Sequence, residues 1–166
     1  MTVQELLLLE FDEEVANTRK MLERVPEASL SWKPHEKSMT LGRLASHVAD
    51  LPNRAVSIIT IDNFVRPANA TPFAANSAKE LTERFDTACT EARKAIAGLR
   101  DEQLPATWTL TFGDRVMISV PRGLALRRVF MDHLIHHRGQ LSVYLRLLDV
   151  PIPGMYGPSA DEGMPR

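Results

Sequence analysis

Apolar residues recur at helical spacing in four stretches of the chain. The first opens on Thr2-Val3-Gln4-Glu5, a capping-box pattern, and runs to about Arg24 ahead of Pro26. Leu7, Phe11, Val15, Leu22 and Val25 form its apolar stripe, with Thr18 in the one gap. The second starts at Thr40, a side chain suited to an N-cap, and continues to about Asp62. Leu44, Val48, Leu51, Ala55 and Ile58 mark its buried face, and Pro52 is expected to kink it by removing a hydrogen bond and crowding the preceding turn. The third begins with a second capping-box pattern, Ser77-Ala78-Lys79-Glu80, and carries Leu81, Phe85, Ala88, Ala92, Ile96 and Leu99 on one side. The fourth spans about Leu124 to Leu148, with Leu126, Phe130, His133, His137, Leu141, Tyr144 and Leu148 on one face and Pro151 beyond its end.

The connections differ in character. Residues 26–37, with Pro26, Trp32 and Pro34, read as an ordered loop. Residues 63–76, with Pro67 and Pro72, read as a linker long enough to run the length of a helical bundle, which would set helices two and three parallel. Between helices three and four, Trp108-Thr109-Leu110-Thr111-Phe112 alternates apolar and polar. Gly113-Asp114 then offers a two-residue turn and Arg115 to Val120 a return strand, so a small β-hairpin is expected there. No internal repeat or low-complexity segment interrupts this plan.

Composition narrows the class. A chain of 166 residues with 44% hydrophobic and 25% charged residues is expected to form one domain with a substantial core. A formal net charge of -1 argues against nucleic acid as partner. No apolar run approaches the roughly 18 residues of a membrane span. The amino terminus lacks the positive region of a secretory signal, so a cytoplasmic protein is expected. The single cysteine, Cys89, can build neither an internal disulfide nor a thiolate cluster. One place off the apolar stripe of helix three, it reads as a buried bystander.

The candidate chemistry lies in Asp132-His133-Leu134-Ile135-His136-His137-Arg138-Gly139-Gln140. His133 and His137 stand four residues apart, hence side by side on one helical face, where each can offer a ring nitrogen to a divalent metal. A third ligand must come from elsewhere, and His47, in the apolar stripe of helix two, is the candidate. His136 is a rival, but it sits about 100° around the helix from His137, so the three neighbours cannot close on one ion. It is expected at the rim or behind a ligand, and His35 in solvent. The competing account makes all three inward histidines separate core residues, satisfied by backbone or by a carboxylate such as Asp50. Three imidazole ligands would leave open coordination positions, as catalytic sites do, and would suit zinc, nickel, copper or iron. Gly139, mid-helix at a cost of roughly 1 kcal/mol relative to alanine, suggests close approach of another helix. Arg138 and Gln140 read as structural, and the turn-rich Pro151 to Pro158 as a tail packed back on the surface.

His47, then far downstream His133, His137-Arg138-Gly139-Gln140-Leu141 and Tyr144-Leu145-Arg146, resemble the DinB/YfiT superfamily, as does the tail Val150 to Ser159. The likeness covers essentially the whole chain, residues 1–166. It implies an all-α four-helix bundle of up-down-down-up topology and a divalent metal, nickel or zinc, on His47, His133 and His137. It also implies a homodimer and a small-molecule or thiol substrate. Members include thiol-dependent transferases, in which the metal activates a low-molecular-weight thiol, and metal-dependent hydrolases. For a hydrolase, Asp50 and Glu10 are the candidate bases. The alternative is a non-enzymatic dimeric protein that binds a metal or a stress ligand.

Overall fold

Helices start where a side chain can take the amide groups left over at their amino ends. The computed structural model describes residues 1–163. Helix α1 (Val3–Leu22) opens with a full capping box: Thr2 Oγ1 accepts the Glu5 N–H at 3.0 Å and the Glu5 carboxylate accepts the Thr2 N–H at 2.7 Å. Helix α2 (Leu41–Asp50) is capped by Thr40, which accepts the Arg43 N–H. It is followed by α3 (Asn53–Thr60) and, after a long connection, by α4 (Ala78–Ala97). The box at α4 is only half made: Ser77 accepts the Glu80 N–H, but the Glu80 carboxylate takes the N–H of Asn76.

Pro52 does more than kink the second helical stretch. Without an N–H, and with its ring against the turn before it, it divides the stretch into α2 and α3. The Leu51 N–H turns back to the Val48 carbonyl, closing α2.

The fourth stretch is one helical rod with a change of winding inside it. α5 (Arg122–Ala125) passes through a π-helical turn, Leu126–Met131, into α6 (Asp132–Leu147). α6 ends in a Schellman turn, in which the Val150 N–H reaches the Leu145 carbonyl and the Asp149 N–H that of Arg146. Asp149 adopts φ 57°, a left-handed conformation that strains any residue bearing a Cβ. Asp149→Gly is expected to raise stability by about 0.5–1 kcal/mol, readable as a higher urea midpoint with unchanged slope.

The expectation of an all-α four-helix bundle is overturned by a three-stranded mixed sheet. Strand β1 (Asn63–Arg66) lies inside what reads as a linker and pairs parallel to β2 (Thr107–Phe112), with Asn63 opposite Thr109 and Arg66 opposite Phe112. β2 pairs antiparallel to β3 (Arg115–Pro121) through the hairpin expected at Gly113-Asp114. Gly113, at φ 56°, is the residue that lets the chain reverse there. The molecule is therefore a helical assembly with a mixed sheet added at one side. β1 escapes sequence reading because it is four residues long, mostly exposed, and matched to a partner more than forty positions away.

The core lies between the helices. Phe11, Met21, Leu22, Leu44, Leu51, Phe85, Phe130 and Leu141 are all buried, with α4 packed on α1, α2 and α3, and α6 on α1 and α2. Buried Arg122 ties sheet to helices, donating to the Ile58 carbonyl and pairing with Asp62. Gly139 is exposed, and an added Cβ would meet nothing within 4 Å, so the expected close helix approach is absent among the described residues. The tight glycines are Gly154 in the tail, where a Cβ would run into the carbonyl oxygen of Gly157, and Gly42, where it would stand 3.0 Å from the carbonyl oxygen of Leu30 in the loop before α2. Tyr144 holds the same loop down, donating to the Met39 carbonyl and meeting Trp32 edge-on.

The tail packs back across α1 and α6. Asn17 donates to the Met155 carbonyl, Arg146 pairs with Asp161, and Tyr156 joins the buried pair of Glu14 and Arg138. Among the described residues no helix is long and apolar enough to cross a membrane.

Candidate metal centre

Helices α2 and α6 pack together, and that contact places His47 against His133 and His137. Ring centroids are 5.0 Å apart for His47 and His133, 4.7 Å for His47 and His137, and 4.6 Å for His133 and His137. One nitrogen from each ring can be chosen so that all lie within 4.8 Å of one another, and each side chain is half-buried. Nε2 of His47 and Nε2 of His133 are 3.2 Å apart.

The hydrogen bonds behind the rings set which nitrogen faces inward. His137 Nδ1 lies 2.7 Å from Oε1 of Gln140, and His133 Nδ1 lies 3.4 Å from the carbonyl oxygen of Val129 in the π-helical turn. Both oxygens only accept, so each Nδ1 carries the proton and each Nε2 keeps its lone pair. This is the arrangement by which outer partners orient metal-bound histidines. Burial, reinforced by the other two histidines and by Arg43 and Arg54, pushes the His47 imidazole down to about 4. Burial comes first in lowering His133 and His137 as well. All three rings are thereby neutral near pH 7, the form that can coordinate.

The residues fit a metal. A tetrahedral ion with bonds of about 2.0–2.1 Å holds its nitrogens about 3.3 Å apart. His47 and His133 already stand at that separation, and the third ring is within reach. Without a cation, a His47 Nε2–H can donate to His133 Nε2 at 3.2 Å, while the Nε2 lone pair of His137 has no donor among the described residues. Gln140→Leu removes the partner of His137 and is expected to weaken divalent-metal affinity about 10- to 100-fold with little loss of stability. Calorimetric titration with zinc, beside a urea melt, checks both halves.

The other candidates lie apart from this cluster. His136 is exposed and leans edge-on against His137, 4.9 Å between centroids. His35 is exposed in its loop, its Nδ1 accepting the Lys37 N–H. Glu10 is engaged by Arg127 on the outer surface. Cys89 is buried, which raises its thiol well above the ordinary range and leaves it a poor nucleophile.

A cavity of about 330 Å³ opens beside His47. Its walls come from α2, α3 and the segment from Phe64 to Phe73, so strand β1 builds one side of it. The buried Ser46 hydroxyl accepts the Ala75 N–H at 2.9 Å and fastens this segment to α2. Asp50 lines the cavity but is already engaged: Arg84 Nε and Asn53 Nδ2 each donate to its Oδ1 at 2.9 Å. Sequence reading overlooks Arg43 and Arg54. Their signal was their place at i-4 and i+7 from His47 on one helical face. Phe64 and Arg66 gave no such signal, because only the sheet brings them in.

Comparison with known proteins agrees with this architecture. A DinB-like protein of known structure from Bacillus cereus ATCC 10987 is similar with a TM-score of 0.70 and 26% identity, over 92% of this chain and 97% of that one. The uncharacterized protein YjoA of Bacillus subtilis strain 168 is 32% identical over 134 residues, 78% of this chain and 80% of YjoA. The uncharacterized protein YrdA of the same organism is 30% identical over 152 residues, 87% of this chain and 83% of YrdA. The DinB family pattern extends over residues 1–165, and the chain belongs to the DinB family.

Proposed function

We propose that the chain is a metal-dependent enzyme in which His47, His133 and His137 hold one divalent ion, nickel or zinc, beside the cavity that receives a small-molecule substrate. The observation that carries this reading is the meeting of three neutral imidazoles, two with Nδ1 tied back and the third, His47, forming part of the wall of an open cavity. The bound ion would supply Lewis acidity at the positions the three imidazoles leave free. The chain's own groups do the rest. Gln140 and the Val129 carbonyl keep two lone pairs aimed at the centre, and Phe64 and Phe73 line the approach with apolar surface. The cationic Arg54, close enough to depress both His47 and His133, favours negative charge developing at that place.

Of thiol transfer and hydrolysis, the site suits thiol transfer better. A hydrolase needs a free base beside its water. The carboxylate on the cavity wall, Asp50, is already held by Arg84 and Asn53. A thiol ionises near about pH 8.5 unaided, and cationic surroundings lower that further. A closed, non-catalytic binding site is disfavoured because His47 itself forms part of the cavity wall.

Cobalt(II)-loaded protein mixed with a small thiol tests this directly. A sulfur-to-metal charge-transfer band, together with thiol-dependent turnover of an electrophile that chelation abolishes, is the expected result. Turnover that persists in chelator-stripped protein, or a metal that takes up no thiol, would overturn it.

A further inference from the structure

The cavity beside His47 carries a charge out of keeping with the rest of the chain. The whole sequence sums to -1, yet the cavity is lined by Arg43, Arg54, Arg66 and Arg84 against one carboxylate, Asp50. Elsewhere several arginines face acids, as Arg19 meets Asp86, Arg93 meets Asp12, Arg127 meets Glu10 and Arg146 meets Asp161, and those without an ion pair among the described residues, such as Arg100, Arg115 and Arg128, stand exposed in water. Within the cavity only Arg84 does so, in its pairing with Asp50. The side chains of Arg43, Arg54 and Arg66 have no hydrogen bond or ion pair among the described residues.

Arg54 is the least comfortable of the three. Burial lowers its pKa and Arg66 stands near enough to lower it further, and Asp50, the one carboxylate in the cavity, offsets this only in part. Two guanidinium groups close together, one drawn out of water, are stable neighbours only if something negative lies between or before them. The fork of N–H donors on a guanidinium matches the two oxygens of a carboxylate or phosphate. Apolar surface from Phe64, Pro72 and Phe73 lies in the same cavity.

We propose that this cavity selects small organic anions, whose carboxylate or phosphate group is held by Arg54 and Arg66 while the reactive end points to His47. The inference deepens the proposed function, since it rests on the metal centre for where the reactive end lies. The anion grip itself needs only the arginines. Arg84, stacked over the Phe73 ring at 5.5 Å, and Asn53 engage Asp50, so that this single carboxylate offsets only part of the charge on Arg54 and Arg66. Arg43 adds a third cation on the His47 helix and draws anions toward the opening.

Calorimetric titrations with succinate, inorganic phosphate and uncharged succinamide separate the grip from the metal. Chelator-stripped and zinc-loaded wild type are compared with Arg54→Met, Arg66→Met, Arg54→Lys and the surface control Arg93→Met, each checked for native circular dichroism. Succinate or phosphate is expected to bind stripped wild type, more weakly as salt rises, while succinamide does not. Whichever anion binds more tightly identifies the head group. Arg54→Met and Arg66→Met are each expected to lose at least about tenfold, Arg54→Lys less, and Arg93→Met, outside the cavity, almost nothing. Equal binding in folded arginine variants, or anions that bind no better than succinamide, would overturn the proposal. A wild type that takes up no zinc but still binds the anion would instead remove the metal reading and leave this one standing.

Discussion

Replacing Arg138 by methionine is expected to lower the unfolding free energy by about 3–5 kcal/mol. Both members of the Arg138–Glu14 pair are buried, with side-chain exposures of 3% and 6%. Arg138 Nη1 stands 2.6 Å from Oε2 of Glu14, an ion contact whose direction falls short of a hydrogen bond. The guanidinium is fixed by other partners: Nη1 donates to the Glu14 backbone carbonyl and to Thr18 Oγ1, and Nη2 donates to Tyr156 Oη at 2.6 Å. Tyr156 in turn donates to Oε1 of Glu14, also at 2.6 Å. Removing the cation leaves a carboxylate stranded in the core and releases the tail from α1 and α6. The single change therefore costs far more than the pair contributes. The corresponding fall in Tm is roughly 6–20 °C for a chain of this size. Glu14→Gln placed on top of Arg138→Met should recover a large part of the loss. Thermal and urea melts of the two variants decide the matter. A loss below about 1 kcal/mol in the single variant would show that the buried network is not a structural anchor.

Replacing His47 by alanine is expected to cut divalent-metal affinity by more than about 100-fold, a larger loss than removing the second-layer partner Gln140. His47 is the one cluster member from outside α6, so its loss leaves two rings on a single helix and no opposing ligand. The change leaves the fold in place, because the ring is half-buried at a cavity wall and its one hydrogen-bond partner among the described residues is another histidine of the cluster, His133. His136→Ala, altering an exposed neighbour, should leave metal affinity within about threefold of wild type. Calorimetric titration of the two variants with zinc separates a ligand from a bystander. Equal affinities would assign the ion to some other group of residues.

How far the sequence reaches can be judged from particular residues. Thr2, Thr40 and Ser77 mark helix starts because capping is a local contest between side-chain and backbone hydrogen bonds. His47, His133 and His137 stand out because an i, i+4 pair and a third histidine on an apolar stripe are visible without tertiary information. Gly113-Asp114 reveals its hairpin for the same local reason. What escapes is non-local. Strand β1 is legible only from the presence of β2, and the all-α expectation falls with it. The buried charge Arg122 looks like a surface residue until its partners from distant segments are in place, and Arg138, legible as structural, does not reveal that its partner is Glu14. The same limit hides the cavity, since Arg66 joins Arg54 only through the sheet. Gly139 fails in the opposite direction, because its absent side chain has no close neighbour to explain it.

Metal content of protein purified without an affinity tag, measured by elemental analysis beside His47→Ala and His137→Ala, bears most directly on the tris-histidine centre. Near one equivalent of nickel or zinc per chain in wild type, and its loss from both variants while circular dichroism stays native, is the expected outcome. A wild type that carries no divalent metal and cannot be reconstituted with nickel or zinc would contradict it, returning the three histidines to the core.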